Sequence, residues 1–184
     1  MINSVIITDL STAVSSSFKV IEQNAWISTV DEADEKKIRM IRKNFCKKMI
    51  PYFAQFFYDW SDEDNDVYIQ KNIEEQGPKE QHVNNIISFL QPIVESDKVY
   101  NLGINCFAGV SRSTAIGIIA WVMQGKSVED ALDEILKVRP YASPNLRILR
   151  FASKRLNKDL FNPIKEWSLK EKSRLFVPNG GWVW

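Results

Sequence analysis

The chain has 184 residues, 45% of them hydrophobic and 26% charged, with a formal net charge of +1. That length and balance suit one domain with a sizeable core, and they exclude a partner surface for nucleic acid or acidic membranes built on overall charge. Two cysteines and one histidine are too few for a disulfide framework or a Cys/His metal site, and no apolar run reaches the length of a membrane span.

Ser4–Thr8 and Ala25–Val30 read as short strands. Asp34–Phe45 reads as a helix, with acids at its start and bases later, as the helix dipole prefers. Tyr52–Tyr58 (YFAQFFY) is aromatic and apolar and reads as a buried strand. The stretch from Asp59 to Gly77 is polar and acidic, a loop. From Glu80 to Glu95, Val83, Ile86, Ile87, Leu90 and Val94 recur at helical spacing, and Pro92 is expected to kink or end that helix. Val99–Ile104 is the next strand and Ser113–Met123 the next helix. Ser127 and Asp130 form a capping-box pattern opening a helix to Val138. Pro140 breaks the chain, and Pro144-Asn145 opens an amphipathic helix through Leu156. Strands alternating with helices predict an α/β fold, a single domain with a mainly parallel central sheet flanked by helices. Residues 1–159 form that domain in this reading. Residues 160–184, with two prolines, three tryptophans and the turn signal Asn179-Gly180-Gly181, are an extension packed on it, and Trp182-Val183-Trp184 is expected to fill an apolar groove. The N-terminus MINSVIITDL lacks a charged region followed by a long apolar stretch, so a cytoplasmic protein with no membrane partner, a monomer, is expected.

The run LGINCFAGVSRSTAIGIIAW concentrates the chemistry. In a parallel sheet, ligands bind at the carboxyl ends of strands. The loop Cys106-Phe107-Ala108-Gly109-Val110-Ser111-Arg112 lies at one such end and runs into a helix N-terminus. A loop of that kind turns backbone N–H groups toward one point, and the helix dipole adds positive potential there. The same dipoles favour the thiolate of Cys106, which is the nucleophile. Gly109 permits backbone conformations that a side chain blocks. Arg112 offers a planar fork matched to two phosphoryl oxygens, and Ser113 a hydroxyl close to the sulfur. A lone apolar Cys is ordinarily a small core residue, and an Arg at a helix start a solvated charge. Here strand, glycine, Ser113-Thr114 and helix all accompany the pair.

The segment Cys106–Thr114 resembles the signature of the cysteine-dependent protein tyrosine phosphatase superfamily, in its compact dual-specificity-like branch. Arg139-Pro140 with Pro144-Asn145 resembles a segment following that signature. The resemblance covers Val99 to about Phe151. It implies an α/β fold, a phosphocysteine intermediate, and no metal or other cofactor. It also implies a phosphate loop at Phe107, Ala108, Gly109, Val110, Ser111 and Arg112, supported by Asn145. The family carries His immediately before the cysteine, where it helps hold the loop and tune the thiolate; this chain has Asn105. Asn donates and accepts hydrogen bonds but carries no charge, so a retained site with a less well stabilised thiolate is expected.

The family's general acid is an Asp on the loop after the strand preceding the long helix. That loop reads Tyr58-Asp59-Trp60-Ser61-Asp62-Glu63-Asp64. Asp59 follows the strand most directly and is the first candidate, with Asp62 and Asp64 as alternatives. His82 is expected to be a surface residue, and Cys46 a buried or bystander thiol. Three functions follow. The first is a phosphatase acting on phosphotyrosine, and with it phosphoserine or phosphothreonine, in proteins. The second is an RNA 5′-phosphatase or a phosphoinositide phosphatase, against which stands the absence of lysine between Phe107 and Ser111. The third is a catalytically weak phosphate-binding module, motivated by Asn105.

Overall fold

The computed structural model describes residues 1–18, 22–60, 76–177 and 181–182. Four strands, β1 (Ile2–Thr8), β2 (Ala25–Val30), β3 (Tyr52–Phe56) and β4 (Tyr100–Asn105), form an all-parallel sheet in the order β1-β4-β2-β3. Parallel strands need crossovers, and helices supply them. α1 (Leu10–Phe18) and α2 (Glu35–Lys47) cover one face. α3 (Glu80–Val94), α4 (Arg112–Met123), α5 (Val128–Val138), α6 (Leu146–Leu156) and α7 (Phe161–Leu175) follow in chain order, and their apolar residues join the core on the other face.

The two faces read directly from the pleat of β2, whose six residues are all buried. Ala25 and Ile27 belong to the larger core, with Ile86, Leu90, Ile116 and Ile119. Trp26 and Val30 belong to the smaller one, with Leu10, Ile38, Ile41 and Phe45. α4 is buried from Arg112 through Val122, as expected of a helix apolar on all sides.

Two helices had no sequence expectation. α1 (LSTAVSSSF) is rich in Ser, Thr and Val, weak helix formers. Asp9 caps it, its carboxylate accepting from the N–H of Thr12, and Leu10 and Ala13 are buried. α7 occupies part of the expected extension. Pro163 stands in its first turn, where proline costs no hydrogen bond, and Asp159 accepts from the N–H groups of Phe161 and Asn162. Leu160 and Ile164 of this segment lie in the larger core. Beyond it, β5 (Phe176–Val177) and β6 (Gly181–Trp182) pair antiparallel on either side of the expected turn. Val183 and Trp184, like Asp62 and Asp64, lie outside the described residues.

Other differences are local. Pro92 does not end its helix, which continues to Val94. β3 stops at Phe56 and is half-buried throughout, because it is an edge strand. No helix among the described residues is long and apolar enough to cross a membrane. For the site, the consequence of topology is simple: β4 sits between β1 and β2. All four strands run the same way, so the chain following Asn105 emerges among the segments that follow Thr8, Val30 and Phe56.

Candidate active site

The loop from Cys106 to Ser111 is held from outside by its carbonyls. The carbonyl of Cys106 accepts from Nδ2 of Asn105 at 3.4 Å, and that of Phe107 from the N–H of Leu10 at 3.0 Å. Arg139 spans the next two, Nη2 donating to Ala108 at 2.7 Å and Nε to Gly109 at 2.8 Å. The carbonyl of Val110 accepts from the Thr114 hydroxyl and the Ser143 N–H, and that of Ser111 from the Asn145 N–H at 3.3 Å. A trans peptide places its N–H opposite its C=O. Carbonyls held by groups outside the loop leave its N–H groups free to turn the other way, as that of Gly109 does toward Sγ, which is the arrangement an anion cradle requires.

The thiol sits in that cradle. Cys106 is buried; its Sγ accepts from the Gly109 N–H at 3.2 Å and lies 3.2 Å from Oγ of Ser113. Both groups stabilise a thiolate, and the N-terminus of α4 adds its dipole. Gly109 has φ +72°, the left-handed region, as the expected conformational freedom requires.

Arg112 is the first residue of α4 and is buried. Its Nη1 donates to Oδ1 of Asp31 at 2.7 Å and to the carbonyl of Phe57 at 2.6 Å. Its Nε is buried without a hydrogen-bond partner and faces Oδ2 of Asp59 at 3.6 Å. The Asp59 carboxylate is thus the charge that this buried nitrogen faces.

Asp59 reaches the loop. Its Oδ1 accepts from the hydroxyl of Ser111 at 2.7 Å and from Nδ2 of Asn145 at 2.9 Å. The same Nδ2 donates to the carbonyl of Trp60 at 2.9 Å, while Oδ1 of Asn145 caps α6 by accepting from Ile148. Asn145 therefore both caps a helix and ties the segment Asp59–Trp60 to the loop Cys106–Ser111. Asn105 is fully buried, and its Oδ1 accepts from Nε1 of Trp26 and the hydroxyl of Ser28.

Asp31 and the fork of Arg139 were not anticipated as site residues. Asp31 stands before a short turn of 3-10 helix and reads locally as a solvated acid. Only the parallel sheet brings it to Arg112. His82 is not the surface residue expected. It is half-buried and stacked on Phe57 at 5.0 Å between ring centroids, and burial, aided by the charge of Lys79, holds its pKa below the usual value. Cys46 is a free thiol exposed on α2, not buried, which leaves the bystander of the two expectations.

No family model matches the sequence, and no curated protein does. Solved structures match its fold. Tk-PTP in its active form has a TM-score of 0.54 at 15% identity, covering 83% of this chain and 93% of its own. PTPMT1 has a TM-score of 0.52 at 15% identity, covering 91% and 95%, and its complex with PI(5)P a TM-score of 0.51 at 12%, covering 90% and 94%. The human tyrosine phosphatase-like serine/threonine/tyrosine-interacting protein has a TM-score of 0.50 at 14%, covering 84% and 91%. With its parallel sheet, the loop after β4 and these similarities together, the chain has the fold of the dual-specificity-like cysteine phosphatases.

Proposed function

We propose that this protein hydrolyses phosphate monoesters through a phosphocysteine intermediate, with phosphotyrosine in proteins as its main substrate and phosphoserine or phosphothreonine as lesser ones. One observation carries the reading: a buried thiol that accepts from the Gly109 N–H and lies against the Ser113 hydroxyl shares its loop with a buried arginine whose Nε makes no hydrogen bond and faces Asp59. In this mechanism Sγ attacks phosphorus and the P–O bond to the leaving group breaks. Asp59 gives that oxygen its proton. Water then attacks the phosphocysteine, Asp59 takes a proton back, and the S–P bond breaks to release phosphate. Cradle and guanidinium hold the three equatorial oxygens throughout, where charge is spread in the transition state.

The surroundings support an aromatic, protein-borne substrate. Phe107 is 57% exposed beside a groove of about 530 Å³ lined by Leu10, Val14 and Met40 and by the polar Asp9, Ser11 and Lys37, which suits a phenyl ring with polar neighbours. Between Phe107 and Ser111 the loop itself has no lysine, and Lys37 is the one lysine lining that groove, a weak match to a polyphosphorylated headgroup or an RNA end.

The test is turnover of p-nitrophenyl phosphate and of a panel of phosphopeptides, phosphoinositides and RNA 5′-ends. Wild type should turn over the aryl phosphate and prefer phosphotyrosine peptides. Cys106→Ser should abolish turnover while retaining phosphate binding, since a serine hydroxyl here has no adjacent base to activate it. A serine variant with most of the wild-type rate would refute covalent catalysis. Binding without turnover by the wild type would leave a phosphate-binding module, and preference for another member of the panel would reassign the substrate.

A further inference from the structure

We infer that Trp26 and Ser28 of β2 are positioning residues for the phosphate loop, acting through Asn105. The inference rests on the proposed role of that loop.

The register of the sheet sets up the contact. Trp26 pairs with Gly103 and Ser28 with Asn105 in the parallel ladder between β2 and β4, so these four residues share one face. Gly103 has no side chain, and the indole of Trp26 lies in the space one would fill: a Cβ at Gly103 would fall 2.1 Å from the indole ring. The ring is packed against Phe45, with centroids 5.0 Å apart, and Phe45 against Tyr52. Lying across β4, the indole brings Nε1 within 2.9 Å of Oδ1 of Asn105. The hydroxyl of Ser28 reaches the same oxygen at 2.6 Å. Trp26, Ser28 and Asn105 are all fully buried.

Two donors on one amide oxygen use both of its lone pairs. The indole also fixes which way the amide faces, because the opposite orientation would set Nδ2 against a group that can only donate. Nδ2 is thereby aimed at the carbonyl of Cys106, 3.4 Å away. That carbonyl is the first of those held by groups outside the loop. The chain of contacts thus runs from Gly103, through the indole and the Asn105 amide, to the peptide that follows the nucleophile.

The same geometry explains why Asn suits this position. A neutral imidazole has one acceptor nitrogen and an imidazolium none. An imidazolium at 105 would leave the buried Nε1–H of Trp26, which can only donate, without an acceptor, at the cost of an unsatisfied buried group. Asn105, Trp26 and Ser28 are a matched set. An ordinary core hydrogen bond would satisfy the same atoms, so the test must read the loop and not only the fold.

Alkylation of Cys106 by iodoacetamide reads the loop without requiring turnover. The full chain carrying Cys46→Ser leaves Cys106 as its one thiol. Rates are measured against pH for Ser28→Ala, Trp26→Phe and Asn105→Leu, with thermal melts in parallel. Each variant should move the alkylation profile alkaline by about one pH unit, which is about tenfold slower reaction on its acid side. Ser28→Ala should add nothing in the Asn105→Leu background, because its effect passes through the missing amide. If Asn105→Leu does not fold, Ser28→Ala and Trp26→Phe are combined instead, and their shifts should be less than additive since both act on one oxygen. Lowered melting temperatures with an unchanged profile, or fully additive shifts, would overturn the inference and leave these as core residues. A wild type that hydrolyses no phosphate monoester while the profiles shift as expected would remove the phosphatase reading and keep the anchor.

Discussion

Gly109 and Gly125 are the two glycines among the described residues with positive φ, at +72° and +101°. Replacing each with alanine separates backbone strain from damage to the loop. A side chain in the left-handed region costs about 1–2 kcal/mol. At Gly125 that is the whole cost, since an added Cβ would meet nothing within 4 Å. For a chain of this size Gly125→Ala should lower Tm by about 2–8 °C and leave turnover per folded molecule unchanged. At Gly109 the added Cβ would lie 2.7 Å from the carbonyl carbon and oxygen of Thr8, and 2.9 Å from Nη2 of Arg139. A contact that short with the backbone of β1 has no rotamer that relieves it, so the loop must move. With it would go the Gly109 N–H bond to Sγ, at 3.2 Å. A hydrogen bond to a charged group contributes about 1.5–3 kcal/mol, equivalent to roughly a ten- to hundredfold change in rate. Gly109→Ala should therefore reduce kcat/KM for p-nitrophenyl phosphate by roughly that factor beyond Gly125→Ala, with initial rates normalised to the folded fraction from melts. Equal turnover in the two variants would refute the inward-amide account of the site.

Arg112→Lys keeps the charge but loses the contacts to Asp31 and Phe57 and the Nε that faces Asp59, and roughly a ten- to thousandfold loss in kcat is expected by steady-state kinetics. Asp59→Asn should slow phosphopeptide hydrolysis far more than that of an activated nitrophenyl ester and remove the alkaline limb of the pH–rate profile; uniform slowing of both substrates would move the acid elsewhere. Asp9 is partly desolvated, but bonds from Ser11 and Thr12 outweigh that and hold its pKa down to about 2. A depressed folded pKa contributes stability that is complete above the unfolded value and lost as pH falls through the folded one. Denaturant melts should therefore show Asp9→Asn flattening the loss of stability between about pH 4 and pH 2.

What was legible in the sequence is what neighbours along the chain decide. The strand, loop and helix around Cys106, the Ser127 cap of α5 and the helix opened by Asn145 are all fixed by residues a few positions apart, and the structure has them within a residue or two. α1 and α7 escaped because their local signals point elsewhere: serines in one, Pro163 in the other. Burial of Leu10 and Ala13, and of Leu160 and Ile164, overrides those signals.

The site divides along the same line. Cys106, Arg112 and Ser113 lie within one loop and helix start, and the thiol and hydroxyl meet as the spacing suggests. The residues that hold them come from far away. Asp31 is 81 positions from Arg112, Trp26 is 79 from Asn105, and Arg139 is 30 from Gly109. Asp31 and Trp26 have no local pattern marking their roles, because those roles exist only where a parallel sheet places β4 between β1 and β2. Asn105 shows the difference most sharply. Taken alone beside the cysteine it is a lost charge. Taken with its register partner Ser28 and the indole lying over Gly103, it is an acceptor with both donors already in place. A substitution next to a nucleophile is thus weighed by what the neighbouring strand supplies to it. In this chain the neighbouring strand supplies a buried indole N–H that an imidazolium could not satisfy.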